Sequence, residues 1–257
     1  MLAPITIRFP FRSATRSLMT AQVADLFGLS DVEAPHVVAE NVTLDIQPSD
    51  VVLFTGPSGS GKSSLMREVG RQLGAVDVTA LSLPEVPLIE ALTGTVEERL
   101  NALSACGLSE ARLLLRTPSE LSDGQRYRFR IALALHSLPR LAHPSPLAPI
   151  PILLDEFGAI LDRTLAKVVA FNLRKLATHA GVGVLCATTH EDLLEDLNPD
   201  IHVRCLGDGH IEVERRDVKK NGSALPTSFG CRTAPGATGR TSLGGITAAT
   251  TSPSRAG

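Results

Sequence analysis

Residues 51–64 read VVLFTGPSGSGKSS, and this stretch decides the fold. VVLFT is a short, unbroken apolar run, the pattern of a strand buried on both faces. GPSGSGKS at 56–63 follows it and satisfies the spacing G-x-x-x-x-G-K-[ST] in full. A helical pattern then runs from Lys62 to Leu73, so the loop is set between a strand and a helix. Glycines there permit the backbone angles that turn successive N–H groups inward as an anion nest. The start of the helix adds partial positive charge. The pattern assigns Gly56, Pro57, Ser58, Gly59, Ser60, Gly61, Lys62, Ser63 and Ser64 to phosphate binding. Lys62 brings a full charge to the outer phosphates, and the Ser63 hydroxyl is placed to ligate Mg2+.

Such a loop needs an acid on a neighbouring strand to hold the metal. ILLDE at 152–156 supplies it: an apolar run fixes the strand, and Asp155 and Glu156 emerge at its C-terminal edge. Ligands bind at that edge in open α/β sheets. Asp155 is expected to hold Mg2+ and Glu156 to polarise an attacking water. GVGVLCA at 181–187 reads as another buried strand, and Thr188, Thr189 and His190 follow it. A histidine at that edge reaches a terminal phosphate.

Between these two strands, Thr164 to His179 has helical spacing. Strand and helix in alternation predict an α/β fold of the P-loop NTPase type, a mostly parallel sheet covered by helices. Upstream, Ile5, Ile7 and Phe9 alternate with polar residues as in a half-buried strand, and Leu18 to Phe27 is helical in pattern. Val38 to Ile46 alternates again and ends at the turn Gln47-Pro48-Ser49-Asp50. A helix-prone insert occupies about 86–135, with a helix expected over Gln125–Leu135, and the proline-rich LPRLAHPSPLAPIP leads back to the sheet. The expected organisation is an extension over 1–36, the ATPase-like domain over 37–214, and a tail over 215–257. The tail is mostly Gly, Ala, Ser, Thr and Pro, which bury too little apolar surface to offset their ordering entropy, so it reads as disordered.

The whole chain has 257 residues, 43 % of them hydrophobic, enough for one sizeable core. A net charge of −2 gives no electrostatic footprint for nucleic acid or an anionic membrane. No apolar run is long enough for a membrane helix, and the N-terminus lacks the apolar block of a signal peptide, so a soluble cytoplasmic protein is expected. Four cysteines without a CxxC pair read as reduced thiols. Arg126, Arg128 and Arg130 fan around their helix, as solvated or acid-paired residues do.

Taken together, these motifs resemble the ATP-binding cassette (ABC) ATPases over about residues 37–206. GPSGSGKS matches the Walker A of that family, and LSDGQ at 121–125 resembles its LSGGQ signature with Asp123 in place of one glycine. LLDEFGAILD at 153–162 resembles LLDEPTSALD, and TTH at 188–190 resembles the switch-histidine segment. The resemblance implies ATP and Mg2+ as ligands, Glu156 as the catalytic carboxylate and Asp162 as the D-loop acid at a dimer seam. It implies a second cassette as partner, whose Ser122, Gly124 and Gln125 close over the nucleotide held by the first. A helix start suits that task, because its free N–H groups favour an anion.

Departures from the family accompany the match. The span from Lys62 to Ser122 is shorter than in transporter cassettes, and Glu85 in LPE stands where a Q-loop glutamine is expected, which makes it a further candidate for Mg2+. Phe27 and His36 are the candidates for stacking on adenine. SDGQRYRFR, DEFGAILDR and TTHEDLLEDL resemble most a group of soluble ABC-type ATPases, some fused to a GNAT-type acetyltransferase, a part that the N-terminal residues here are too few to supply. Three uses follow: a soluble ATPase acting as a switch on a protein or nucleic-acid partner, the ATP-binding subunit of a membrane transporter, or a non-hydrolysing nucleotide-binding module.

Overall fold

The computed structural model describes residues 2–10, 17–28, 35–141 and 149–216, the side chains of 138–141 excepted. The chain divides into a unit over Met1–Val218 and another over Lys219–Gly257. The tail expected from 215 begins later, since Arg215 still belongs to a strand, and its remainder beyond residue 216, the second unit with Cys231 included, lies outside the described residues, as does 142–148 of the proline-rich loop.

The strand VVLFT is β3 (Val51–Thr55), and every residue in it is buried. Successive side chains of a strand point to opposite faces. Val51 and Leu53 therefore enter one core, and Val52 and Phe54 enter another. Helix α2 (Lys62–Leu73) lies over the second face with Leu65, Met66 and Val69 buried, and it ends at Gly74 in the left-handed conformation. Strands β4 (Val76–Asp77), β5 (Ile152–Leu154), β6 (Val184–Ala187), β7 (Ile201–Gly207) and β8 (His210–Arg215) complete a sheet of order β4-β5-β6-β3-β7-β8. All neighbours are parallel except β7 and β8. The α/β reading therefore holds.

Strands β1 (Ile5–Phe9) and β2 (His36–Val42) form a separate antiparallel pair. The segment expected as an extension sends Ile5 into the core beneath β3, where it is buried beside Leu44 and Phe54. Helix α1 (Leu18–Phe27) is capped by Ser17 and by left-handed Gly28, and none of its residues is buried.

The insert becomes α3 (Leu88–Ala91), α4 (Val96–Ala105), α5 (Ala111–Leu114) and α6 (Asp123–Leu141). Helix α7 (Arg163–Ala180) begins at Asp162, whose carboxylate accepts from the Leu165 amide at 2.9 Å. It buries Ala166, Val169, Ala170, Leu173 and Ala177 on the first face of the sheet. The short α8 (Leu194–Leu197) follows β6. Arg174 of α7 makes a two-pronged pair with Asp200, at 2.7 and 2.9 Å, and Asp200 also accepts from the Val51 amide at 2.9 Å. That network ties α7 to the strand that carries the glycine loop.

Strands β4, β7 and β8 are additions to the sequence reading. The turn between β7 and β8 holds Asp208 at φ +48° and Gly209 at φ +77°, the backbone of a tight hairpin. Cys106, Cys186 and Cys205 are free and buried, as expected of reduced thiols. Among the described residues, no helix is long and apolar enough to cross a membrane.

Candidate functional site

The C-terminal ends of β3, β5 and β6 open onto one cleft of about 490 Å³. Ser58, Gly59, Gly61, Lys62, Ser63 and Ser64 line it from the loop, Asp155 and Glu156 from the end of β5, and Thr188, Thr189 and His190 from the end of β6. Chain positions more than a hundred residues apart thus meet at one edge of the sheet.

Gly61 is the N-cap of α2 and sits at φ +87°. A Cβ there would lie 2.1 Å from Cγ1 of Val38, so the loop and β2 approach as closely as glycine permits. The Lys62 ammonium donates to the Pro57 carbonyl at 2.7 Å and folds along the loop. Burial holds its pKa below the ordinary value, while Cys205, Asp155 and Glu156 act in the opposite direction. The Ser60 hydroxyl is buried with no hydrogen-bond partner.

Asp155 is the hub. Its Oδ1 accepts from the Ser63 hydroxyl at 2.7 Å and from the Glu156 amide at 3.0 Å, and its Oδ2 accepts from Arg67 at 2.8 Å. Glu156 sits at φ +52°, a left-handed conformation that non-glycine residues rarely adopt. Strain of that kind persists where the surroundings fix it. The next amide, of Phe157, donates to Ala187 at 2.8 Å, and the Thr188 amide donates to Phe54 at 3.0 Å. These bonds lock the ends of β3, β5 and β6 together. The backbone amide of His190 donates to the Thr188 hydroxyl at 3.1 Å, which fixes the turn that carries its ring.

The signature residues lie elsewhere. Ser122 caps α6, which starts at Asp123 and not at Gln125: the Gln125 amide donates to Ser122 Oγ at 3.3 Å, and the Ser122 amide to Gln125 Oε1 at 3.0 Å. Ser122, Gly124 and Gln125 do not line the cleft of their own chain. A Cβ on Gly124 would lie 3.2 Å from the Ile160 carbonyl, so α6 packs close to the loop before α7. Asp162 caps α7 and stands outside the cleft. Glu85 is also outside it and accepts from the Ser119 hydroxyl at 3.0 Å.

Of the arginines of α6, Arg126 pairs with Asp123 at 3.2 Å, as the acid-paired reading expected, while Arg128 and Arg130 depart from it. Arg128 is buried and donates to the carbonyls of Gly124 and Gly107, Arg126 donates to the Leu121 carbonyl, and Arg130 to that of Leu81. They clamp the insert through carbonyls that no charge pattern reveals. Phe9 was not foreseen. It pairs with His36 across β1 and β2, and both line the mouth of the cleft with Val38. Phe27, on exposed α1, does not. The alternation of Ile5, Ile7 and Phe9 placed Phe9 on a strand but gave no sign of its pairing with His36.

No family model matches the chain. The lipoprotein-releasing system ATP-binding protein LolD 2 of Caulobacter vibrioides is 28 % identical over 219 residues, 69 % of this chain and 90 % of that protein. LolD of Novosphingobium aromaticivorans is 30 % identical over 197 residues, 61 % of this chain and 83 % of that protein. An ATP-binding cassette solved as a dimer in a post-hydrolysis state with ADP and Pi shares the fold, with a TM-score of 0.52 at 19 % identity over 84 % of this chain and 98 % of that one. A glycine loop between buried strand and helix, two acids at the end of β5, which β6 separates from β3 although a neighbouring strand was expected, and a capped signature helix accompany that kinship, and the chain belongs to the ATP-binding cassette family of ATPases.

Proposed function

We propose that this ATPase works as the ATP-binding subunit of a transport complex, closing against a second cassette on ATP and reopening after hydrolysis. The observation that carries the reading is the meeting of Lys62, Ser63, Asp155, Glu156 and His190 in one cleft. The relatives named above are ATP-binding proteins of a lipoprotein-releasing system, and this supports the transport assignment.

The loop amides and Lys62 bind and orient the phosphates, whereas the buried Ser60 hydroxyl sits beside Gly56 and does not line the cleft. Ser63 and Asp155 present hard oxygen donors 2.7 Å apart, a set that fits Mg2+. When bound there, the ion neutralises phosphate charge. Glu156, exposed at the cleft mouth, orients the attacking water, and His190 faces the terminal phosphate. Phe9 and His36 flank the base. Because phosphoryl transfer asks little covalent chemistry of the protein, positioning and charge dominate. Ser122, Gly124 and Gln125 act on the nucleotide of the second cassette, with Asp162 near the seam.

A second reading, a soluble switch on a protein or nucleic-acid partner, draws on one observation. Glu85 replaces the expected glutamine and is held by Ser119 within the insert, the part that meets membrane subunits in transporters. Affinity purification of the Glu156→Gln chain with ATP separates the two. Recovery with an integral membrane protein supports transport, and recovery solely in the soluble fraction with another partner supports the switch. Equal inertness of parent and variant would remove the catalytic role of Glu156.

A further inference from the structure

Tyr127 stands one turn and a half into α6 from the Ser122 cap, and its ring is buried in the first core. Its hydroxyl donates to the main-chain carbonyl of Asp155 at 3.4 Å. This contact reaches Asp155 from the insert. The other groups that hold its side chain, Ser63, Arg67 and the Glu156 amide, belong to α2 or to the same strand end. The carbonyl in question belongs to the peptide that carries Glu156, whose left-handed backbone has to be fixed from outside.

We propose that Tyr127 is a positioning residue: through the Asp155 carbonyl it ties the signature helix to the peptide that aims Glu156. The proposal rests on the two-cassette reading, because only there does the tip of α6 meet a nucleotide. One helix then touches the partner's phosphate at its first turn and, at its second, holds the peptide that carries the carboxylate of its own cleft. Closure over one nucleotide is thereby transmitted to the catalytic group of the other. The close approach of Gly124 to the Ile160 carbonyl gives the same helix a second hold on the loop between Glu156 and α7.

The phenol is suited to donate. Its partner is a carbonyl oxygen, which only accepts, so the hydroxyl proton lies between the two.

The test is Tyr127→Phe in the full chain, which keeps the ring in the core and removes the hydroxyl. The expected result is a fall of roughly fivefold in kcat, the size of one lost neutral hydrogen bond, with KM for ATP unchanged and the thermal midpoint lowered by no more than about 2–4 °C. Amide exchange over 155–158 in the nucleotide-free chain should also quicken. In a Glu156→Gln background the same substitution should cost nothing further, since the group it aims is gone. Wild-type kcat and exchange in Tyr127→Phe would overturn the proposal, as would a kcat loss matched by a rise in KM, which marks general loosening. Sedimentation of Glu156→Gln with ATP is run beside it. Monomer there refutes the two-cassette reading itself, whereas dimer there with an unaffected Tyr127→Phe refutes only the role of Tyr127.

Discussion

Gly61→Ala isolates what the loop geometry is worth. Two costs follow from the structure. A residue with a Cβ resists φ +87°, at about 1 kcal/mol for a left-handed non-glycine residue. The new methyl would also stand 2.1 Å from Cγ1 of Val38, a short β-branched side chain that is 4 % exposed and has nowhere to turn. Overpacking of that kind costs about 1–3 kcal/mol. If the loop relieves both by leaving the nest conformation, nucleotide affinity falls by the sum, about 2–4 kcal/mol, or roughly 30-fold to 1000-fold. Titration with a fluorescent ATP analogue reads the loss, and thermal unfolding shows whether the domain stays intact. Val38→Ala added to Gly61→Ala removes the collision and leaves the backbone cost, so affinity should return to within about tenfold of the Val38→Ala single variant. Parental affinity in Gly61→Ala would refute the nest, and failure of Val38→Ala to rescue would show that the collision is not the cause.

Lys62→Ala should abolish measurable ATP binding while leaving the thermal midpoint near that of the parent, and unchanged affinity would displace the phosphates from the loop. Phe9→Ala should raise KM for ATP roughly fivefold to 150-fold at constant kcat, the range of one lost base-stacking contact; a change in kcat alone would remove Phe9 from the base site. For Asp200, burial acts to raise the pKa, but the hydrogen bonds from Arg174 and the Val51 amide outweigh it and the net direction is down. The stabilisation is therefore present above the unfolded carboxylate value of about 3.9 and is lost as pH falls through the lower folded value. Asp200→Asn should cost about 2–3 kcal/mol near neutrality and flatten the fall in stability below about pH 4. Chemical denaturation at several pH values measures both, and parallel curves for the two proteins would exclude the network.

The strand, loop and helix at 51–73 were legible because their chemistry is contiguous. A phosphate nest needs its glycines at fixed spacing, and a buried parallel strand has to be apolar throughout. The Asp155–Glu156 edge was legible for the same reason. Strand β7 carried a different signal, the alternation of Ile201, Val203 and Cys205 with His202 and Arg204: His202 is buried and its Nε2 lies 2.8 Å from Thr55 Oγ1, while Arg204 pairs with Glu212 and Glu214 on β8. That polar face breaks the unbroken apolar run by which β3 and β6 were found. The Asp208-Gly209 turn was nevertheless a readable hairpin signal. Phe9 escaped because its partner His36 lies across the long segment that carries α1, and pairing at that separation leaves no local trace. Arg128 escaped because its buried state depends on the Gly107 carbonyl, brought to it by packing of the insert.

On the proposed reading, the two cores explain why one chain makes half of two sites. Val52 and Phe54 lean on α2, so the phosphate loop is built on one face of the sheet. Val51 and Leu53 lean on the core shared by α6 and α7, so the signature helix is built on the other. A β-sheet is a stiff partition, and side chains do not cross it. What joins the faces is the strand edge, where Ser63 from one side and Tyr127 from the other meet at Asp155. The tip of α6 stays out of its own cleft, and its free amides suit an anion. On the proposed reading, a second copy supplies that anion as its bound nucleotide, and the strand edge at Asp155 carries the consequence of closure back to Glu156.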